Sequence, residues 1–136
     1  MDLDQAREFI RNNTRAVMST RRSDGSPQMS PVLATVDAEG RVVISTRETA
    51  YKVRQVRQDP RVALCFFTDG FFGEWVQVEG KAEVVSLPEA MEPLVDLYRR
   101  ISGEHPDWDD YRAAMVRDER VVIRVDLDRA GPDRTG

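Results

Sequence analysis

The feature that most constrains the fold is a series of short β-strand patterns separated by tight turns. Six segments are rich in β-branched and aromatic residues, and several of them alternate apolar with polar positions. Turn residues at 23–26 and 37–40 join neighbouring segments, so these strands are expected to pair antiparallel. A closed or partly split barrel is the natural way to hide strand edges in a domain of this size. The predicted strands are 16–20, 28–36, 41–46, 61–68, 74–85 and 121–128.

Four further segments repeat apolar residues at three- and four-residue spacing, which predicts helices over 3–13, 49–58, 88–101 and 107–118. Thr49 or Glu48 is expected to cap the second of these helices. The elements do not follow a βαβ order, so the fold is predicted to be mainly β with peripheral helices. We expect one domain over 1–128 and a flexible tail over 129–136, where Gly, Pro and Asp are frequent.

Three strand segments carry more specific predictions. Pro31 cannot donate a ladder hydrogen bond, which indicates an edge position or a bulge in the second strand. Gly80 interrupts the alternation of the fifth strand and indicates a bulge or a close backbone approach. The apolar run 62–67 in the fourth strand predicts burial on both faces.

Composition and charge exclude several classes of protein. The chain of 136 residues has one cysteine and one histidine, so it has no internal disulfide and too few ligands for an ordinary zinc site. A net charge of -4 disfavours a nucleic-acid partner. No segment approaches the ~20 apolar residues of a membrane helix, and the first residues lack a secretory pattern. These observations predict a cytoplasmic protein without membrane contact.

One segment differs in charge from the rest of the chain. From Arg47 to Arg61 there are five basic and two acidic residues, and Ser45-Thr46 precede this cluster at a strand end. Hydroxyls, lysine and arginine beside a helix start are the usual donors to a phosphate. A solvated helix face gives the same pattern, so the segment alone leaves both interpretations open. Neither a Gly-x-x-x-x-Gly-Lys-Ser/Thr loop nor a Gly-x-Gly-x-x-Gly motif is present.

Other candidate residues have ordinary structural explanations. Cys65 lies in an apolar strand and is interpreted as a small buried hydrophobe. Glu104 and Asp107 to Asp110 precede or begin a helix, where acidic side chains are favoured by the dipole. Trp75 shares a strand face with Gln77, so it does not simply point into a uniform core. Catalytic residues are not identifiable from these patterns.

Four segments together resemble the pyridoxamine-phosphate-oxidase-like split β-barrel family, specifically its F-420-dependent reductase branch. They are 21–32 (RRSDGSPQMSPV), 52–61 (KVRQVRQDPR), 78–82 (VEGKA) and 98–112 (YRRISGEHPDWDDYR). The resemblance spans nearly the whole chain, and it implies a six-stranded antiparallel split barrel of the FMN-binding type. It also implies a tight homodimer with two cofactors in grooves at the interface.

The resemblance assigns roles to particular residues of this chain. It implies that Lys52 contacts the phosphate of the cofactor, and that Ser45 and Thr46 do likewise. Ser30 and Pro31 are implied to flank the ring system. The remaining implied cofactor contacts are Arg54 and Arg57, to the phosphate or the polyglutamate tail of F-420, and Trp75 and Gln77, from the partner subunit.

The activity implied by the resemblance is hydride transfer from reduced F-420 to an electron-poor double bond. Enones, quinones and tetrapyrroles are the implied classes of small-molecule substrate. Relatives carry a further basic residue where this chain has Ala50, so FMN stays an alternative cofactor. A carrier of F-420 or FMN without turnover and a structural dimer are the competing hypotheses. No counterpart of the long C-terminal segment of pyridoxamine-phosphate oxidases is present, which disfavours vitamin B6 oxidation.

Overall fold

The strand patterns form a closed antiparallel barrel in the computed structural model, which describes residues 1–70 and 72–133. Within those residues the six strands are β1 (Arg15–Arg21), β2 (Pro27–Val36), β3 (Val42–Arg47), β4 (Arg61–Phe67), β5 (Trp75–Val85) and β6 (Arg120–Ala130). Around the barrel they follow the order β1-β2-β3-β6-β5-β4, and β4 pairs with β1. The predicted mainly β fold with peripheral helices is confirmed.

Four helices accompany the barrel in the described residues: α1 (Leu3–Asn12), α2 (Tyr51–Gln58), α3 (Met91–Ser102) and α4 (Trp108–Arg117). The prediction for the start of α2 was wrong. Its N-cap residue is Ala50, and no side chain caps the helix. Glu48 instead accepts hydrogen bonds from Arg57 and Ser86, and these contacts hold its carboxylate away from the helix amides.

The barrel interior is filled by the inward residues of all six strands. Val53 and Val56 of α2 and Phe9 and Ile10 of α1 join this core. The prediction that β4 is buried on both faces was wrong, because burial alternates along the strand. The helices that pack outside the barrel contact β2, β3 and β6, so the outer side chains of β4 are only half-buried. Buried inward residues of β4 are Val62, Leu64 and Phe66.

A second apolar cluster covers the outside of β3 and β6. Val43 and Val122 point outward from these strands and pack beneath α3 and α4. The Tyr111 hydroxyl donates a hydrogen bond of 2.9 Å to the Leu94 carbonyl, which ties α4 to α3. α3 and α4 together form what we call the helical hairpin. It is anchored on one side of the barrel, next to β2, β3 and β6.

The predictions for Pro31 and Gly80 are confirmed. β2 pairs with β3 only over Ala34–Val36, so Pro31 lies on a free edge of β2 on that side. The register between β5 and β6 shifts at Glu79/Gly80, and a Cβ atom on Gly80 would lie 2.1 Å from the Asp126 carbonyl oxygen. The separation of β2 from β3 leaves an opening in the barrel wall beside α3.

The chain end differs from expectation at its boundary. β6 continues to Ala130, two residues into the predicted tail, because Glu79 and Val78 of β5 pair with Arg129 and Ala130. Residues 134–136 of that tail lie outside the described residues. None of the helices in the described part of the chain is long and apolar enough to cross a bilayer.

Candidate functional site

The opening beside β2 forms a cleft of about 480 Å³, which we call the main cleft. One wall is the free edge of β2, and the facing wall comes from the helical hairpin. The end of β3, the first turn of α2 and the start of β6 close one end. The lining residues are Pro31, Val32, Leu33, Ser45, Thr46, Lys52, Leu97, Tyr98, Ile101, Ser102, Tyr111, Met115 and Arg120.

One end of the main cleft is polar and cationic. The β3–β6 register places Thr46 opposite Val121 and Arg47 opposite Arg120, so Arg120 lies at the same barrel end as the Ser45-Thr46 hydroxyls. α2 begins shortly after β3, which brings Lys52 to this end. Two cations and three aliphatic hydroxyls line the cleft, and none of its described lining residues is acidic.

Both cations of this end lack a counter-charge among the residues that the structure describes. Burial lowers the pKa of the Lys52 ammonium below its ordinary value. The Nε atom of Arg120 is buried and has no hydrogen-bond partner. Buried donors without acceptors are rare because each one loses its hydration without replacement. An anionic group in this end of the cleft would supply the counter-charge that both side chains lack.

The other end of the main cleft is apolar and aromatic. Val32 of β2 and Leu97 and Ile101 of α3 line the cleft together. The rings of Tyr98 and Tyr111 lie 5.0 Å apart at an angle of 59°, and both border the space. An apolar slot with a few polar groups at one end suits a flat ring that carries an anionic arm. The cleft thus fits the phosphate and ring of a flavin-type cofactor, and no described group of side chains is arranged to hold a metal ion.

A second depression of about 580 Å³, the second groove, lies on the other side of the first turn of α2. Tyr51 lines it, whereas its neighbour Lys52 lines the main cleft. The guanidinium of Arg54 lies 5.3 Å from the Tyr51 ring centroid. The second groove is lined by Arg22, Ser23, Gln28, Tyr51, Arg54, Gln55 and Gln58, again without an acidic residue among those described.

The predicted site residues fall into three places. Pro31, Ser45, Thr46 and Lys52 line the main cleft together. Arg54 lines the second groove. Four predicted residues line neither space in the described chain: Ser30, opposite Met18 in the β1–β2 pairing, Arg57 of α2, and Trp75 and Gln77 on β5.

Arg57 is engaged elsewhere. Its guanidinium donates hydrogen bonds to the carboxylate of Glu48 and to the Ser86 hydroxyl. It borders neither the main cleft, which Lys52 lines, nor the second groove, which Arg54 lines. The structure therefore does not place Arg57 with either of these cations.

Trp75 and Gln77 lie on a different surface, which we call the open sheet face. It is the outer face of β2, β1, β4 and β5, where side chains line up in cross-strand rows. One such row is Pro31, Val17, Cys65 and Gln77. These side chains are exposed or half-buried, and burial raises the pKa of the Cys65 thiol. Pro31 and Leu33 border both this face and the main cleft.

Sequence reasoning missed Arg120 and the wall formed by the helical hairpin. Arg120 follows Asp118-Glu119 in a charged stretch that indicates only the start of a strand. Its place in the cleft comes from the β3–β6 register, which no local pattern reveals. Tyr98 and Tyr111 fall within the helices predicted over 88–101 and 107–118, and apolar spacing along a helix does not separate core residues from cleft residues.

Comparison with known proteins agrees with this architecture. A conserved hypothetical protein, Rv2991, from Mycobacterium tuberculosis is 25% identical, with a TM-score of 0.77 over 96% of this chain and 82% of that one. A protein named F420 Reductase is 22% identical, with a TM-score of 0.69 over 91% and 94% of the two chains. General Stress Protein 26 from Bacillus anthracis is 16% identical, with a TM-score of 0.66 over 96% and 92%.

A family model provides the assignment that these distant likenesses do not. The model described as pyridoxamine 5'-phosphate oxidase matches residues 3–131, which includes all six strands up to Ala130 and the whole main cleft. The chain therefore belongs to the pyridoxamine 5'-phosphate oxidase family of split β-barrel proteins.

Proposed function

We propose that this protein binds the deazaflavin coenzyme F-420 in the main cleft and reduces an electron-poor double bond of a small organic substrate. The observation that carries the proposal is the cationic end of the cleft, where Lys52 and Arg120 have no acidic partner among the described residues beside an apolar slot. A structural neighbour at 22% identity is named F420 Reductase, which supports the same assignment.

The side chains of the cleft bind and orient in this proposal. Lys52, Ser45 and Thr46 hold the phosphate, while Pro31 flanks the ring from the edge of β2. When bound, reduced F-420 supplies a hydride to one carbon of the double bond; solvent supplies a proton to the other atom, which leaves a single bond and oxidised coenzyme. The apolar wall of α3 and α4 keeps water from the ring.

The second groove supports F-420 over FMN. F-420 carries a polyglutamate tail beyond its phosphate, whereas FMN ends at the phosphate. Tyr51, the residue next to Lys52 in the chain, lines the second groove. Arg22 and Arg54 also line it, and none of its described lining residues is acidic. We assign the tail to this groove, with Arg54 as its main contact and Arg57 held back by Glu48. FMN would leave the groove unused.

A homodimer completes the site in this proposal. The main cleft opens at Pro31 and Leu33 onto the open sheet face, where Leu33 is 55% and Met29 65% exposed. β5 lies three strands from β2 across this face, about 14 Å at ordinary strand spacing. A two-fold axis between β1 and β4 would bring Trp75 and Gln77 of a second copy over the cleft.

Titration of the purified protein with F-420 and with FMN tests the proposal. We expect micromolar or tighter binding of F-420, weaker binding of FMN, and oxidation of reduced F-420 by at least one enone, quinone or tetrapyrrole. Tighter binding of FMN would assign the flavin instead, and F-420 binding without turnover would indicate a carrier. Failure to bind either ligand would refute the proposed function.

A further inference from the structure

We propose that Arg120 completes the anion site of the main cleft by pairing its guanidinium group with the phosphate of the ligand that Lys52 binds. This inference rests on the proposed function, since it concerns a cofactor phosphate. It adds a binding residue that neither the charge cluster at 47–61 nor the family resemblance indicated. The argument starts from the pairing of Arg120 in the sheet.

The pairing of Arg120 leaves it without a counter-charge. In the β3–β6 register it lies opposite Arg47, a second cation. Arg124 follows four residues later on the same face of β6, and there Glu83 of β5 lies opposite and accepts its Nε–H. Like charges directly opposite each other are destabilising. Arg124 is therefore neutralised by a carboxylate on the neighbouring strand, whereas Arg120 is not.

The carboxylates closest along the chain do not supply the missing acceptor. Asp118 lies within ion-pair distance of Arg117, and Glu48 is bound by Arg57 and Ser86. Glu119 is exposed and has a left-handed backbone with φ of 52°. None of the described carboxylates forms an ion pair with Arg120, and its Nε remains without an acceptor.

The surroundings of Arg120 favour a phosphate as the missing acceptor. The Tyr111 hydroxyl beside it already donates to the Leu94 carbonyl. Thr46 and Ser45 precede Arg47 on β3, so hydroxyl donors lie at the same end as the guanidinium and Lys52. Two cations with adjacent hydroxyls form the usual donor set for a phosphate, and the planar guanidinium fork matches its oxygens.

A binding role and a structural role make opposite predictions for the ligand-free protein. An unsatisfied buried donor contributes nothing favourable to folding, so its removal should not destabilise the free protein. The same substitution should weaken the bound state, where the guanidinium group is paired with the phosphate. A structural arginine would instead lower the melting temperature in the absence of any ligand.

The experiment compares Arg120→Gln and Arg120→Lys with the matched control Arg124→Gln. Affinity is measured for F-420 and FMN, for their phosphate-free counterparts deazariboflavin and riboflavin, and for inorganic phosphate through the shift in melting temperature. We expect Arg120→Gln to lower the affinity for F-420 and for FMN about tenfold or more, and to leave the affinity for riboflavin unchanged. Arg120→Lys should fall between, and Arg124→Gln should bind as wild type does.

Several results would overturn the inference. Unchanged affinity of Arg120→Gln for the phosphorylated ligands would do so, as would an equal loss of affinity for riboflavin. A ligand-free melting temperature lowered by Arg120→Gln, but not by Arg120→Lys, would assign a structural role. If the wild type binds no F-420 or FMN, the proposed function fails. A phosphate-induced thermal shift that Arg120→Gln abolishes would then still support the anion site. If the wild type shows neither cofactor binding nor a phosphate-induced shift, the proposed function and the anion site are both refuted.

Discussion

At the scale of single residues, the main cleft depends on charges that the protein leaves unpaired. Lys52 and Arg120 have no acidic neighbour in the described part of the cleft, although most other arginines of the chain form ion pairs. Partly buried cations without partners destabilise the free protein. Their presence in one cleft is best explained by a ligand that pairs with them.

Replacement of Lys52 by alanine should weaken cofactor binding by about 1.5–3 kcal/mol, the usual value for a hydrogen bond to a charged group. Isothermal titration with F-420 or FMN measures this directly. Lys81→Ala is the matched control, because Lys81 is an exposed lysine of β5 that borders neither the main cleft nor the second groove. An unchanged dissociation constant for Lys52→Ala would remove Lys52 from the site.

Affinity for the phosphorylated ligand should fall as pH rises through the alkaline range. Burial lowers the pKa of Lys52 below 10.5, so its ammonium loses the proton at a lower pH than an exposed lysine does. The unfolded chain holds this proton more tightly than the folded one. The contribution of Lys52 to the free energy of unfolding therefore rises with pH below 10.5 and levels off above it.

A series of titrations between pH 7 and pH 10 tests this pH dependence. Lys52→Arg, which stays charged throughout, should flatten the profile. A wild-type profile as flat as that of Lys52→Arg would contradict the assignment.

At the scale of elements, the β5–β6 pairing depends on the absence of a side chain at Gly80. A Cβ atom there would lie 2.1 Å from the Asp126 carbonyl oxygen and 2.9 Å from the Val125 side chain. The β5 and β6 backbones are held by their ladder hydrogen bonds, so they cannot move apart to make room for a Cβ atom without loss of stability. Gly80→Ala should lower the free energy of unfolding by about 2 kcal/mol or more.

Urea unfolding measures this change, with Gly25→Ala as control. Gly25 has a φ of +85°, and a Cβ atom added to it would have no heavy atom within 4 Å, so only backbone strain of about 1 kcal/mol is expected there. Equal losses for the two variants would show that contact with Asp126 is not what excludes a side chain at Gly80.

At the scale of the whole molecule, the open sheet face is the surface that a second copy should cover. Met29 lies on this face outside the main cleft and is 65% exposed. Met29→Glu would bury two charges in a symmetric dimer, and unpaired buried charges are costly. We expect its dimer dissociation constant to rise at least about tenfold, since even 1.4 kcal/mol is that factor.

Val116 provides the matched control for the dimer prediction. It is 59% exposed, but it lies on α4, away from the open sheet face. Val116→Glu should leave the dissociation constant unchanged in sedimentation or light-scattering measurements. A wild-type protein that is monomeric at micromolar concentration would contradict the dimer, and equal effects of the two variants would place the interface elsewhere.

What could be predicted from the sequence is what short segments encode. Strand-forming residues bounded by turn residues located all six strands, several of them through alternation at period two. Gly80 and Pro31 marked a bulge and a free edge because each has a backbone property that no other residue shares. The charge cluster after Ser45-Thr46 indicated a possible phosphate site, and the family resemblance assigned Ser45, Thr46 and Lys52 to it; these three residues line one cleft because a strand end and the helix after it are consecutive along the chain. These are local relations, and local chemistry determines them.

Only the tertiary structure decided which faces are covered and which charges remain unpaired. Glu48 does not cap α2 because its carboxylate accepts hydrogen bonds from Arg57 and Ser86 in the folded chain. The outer face of β4 is half-exposed because the helical hairpin packs on other strands. Arg120 enters the cleft through its register with β3, a strand that lies far earlier in the chain. Burial and charge pairing depend on such distant neighbours, and no pattern within a single segment contains them.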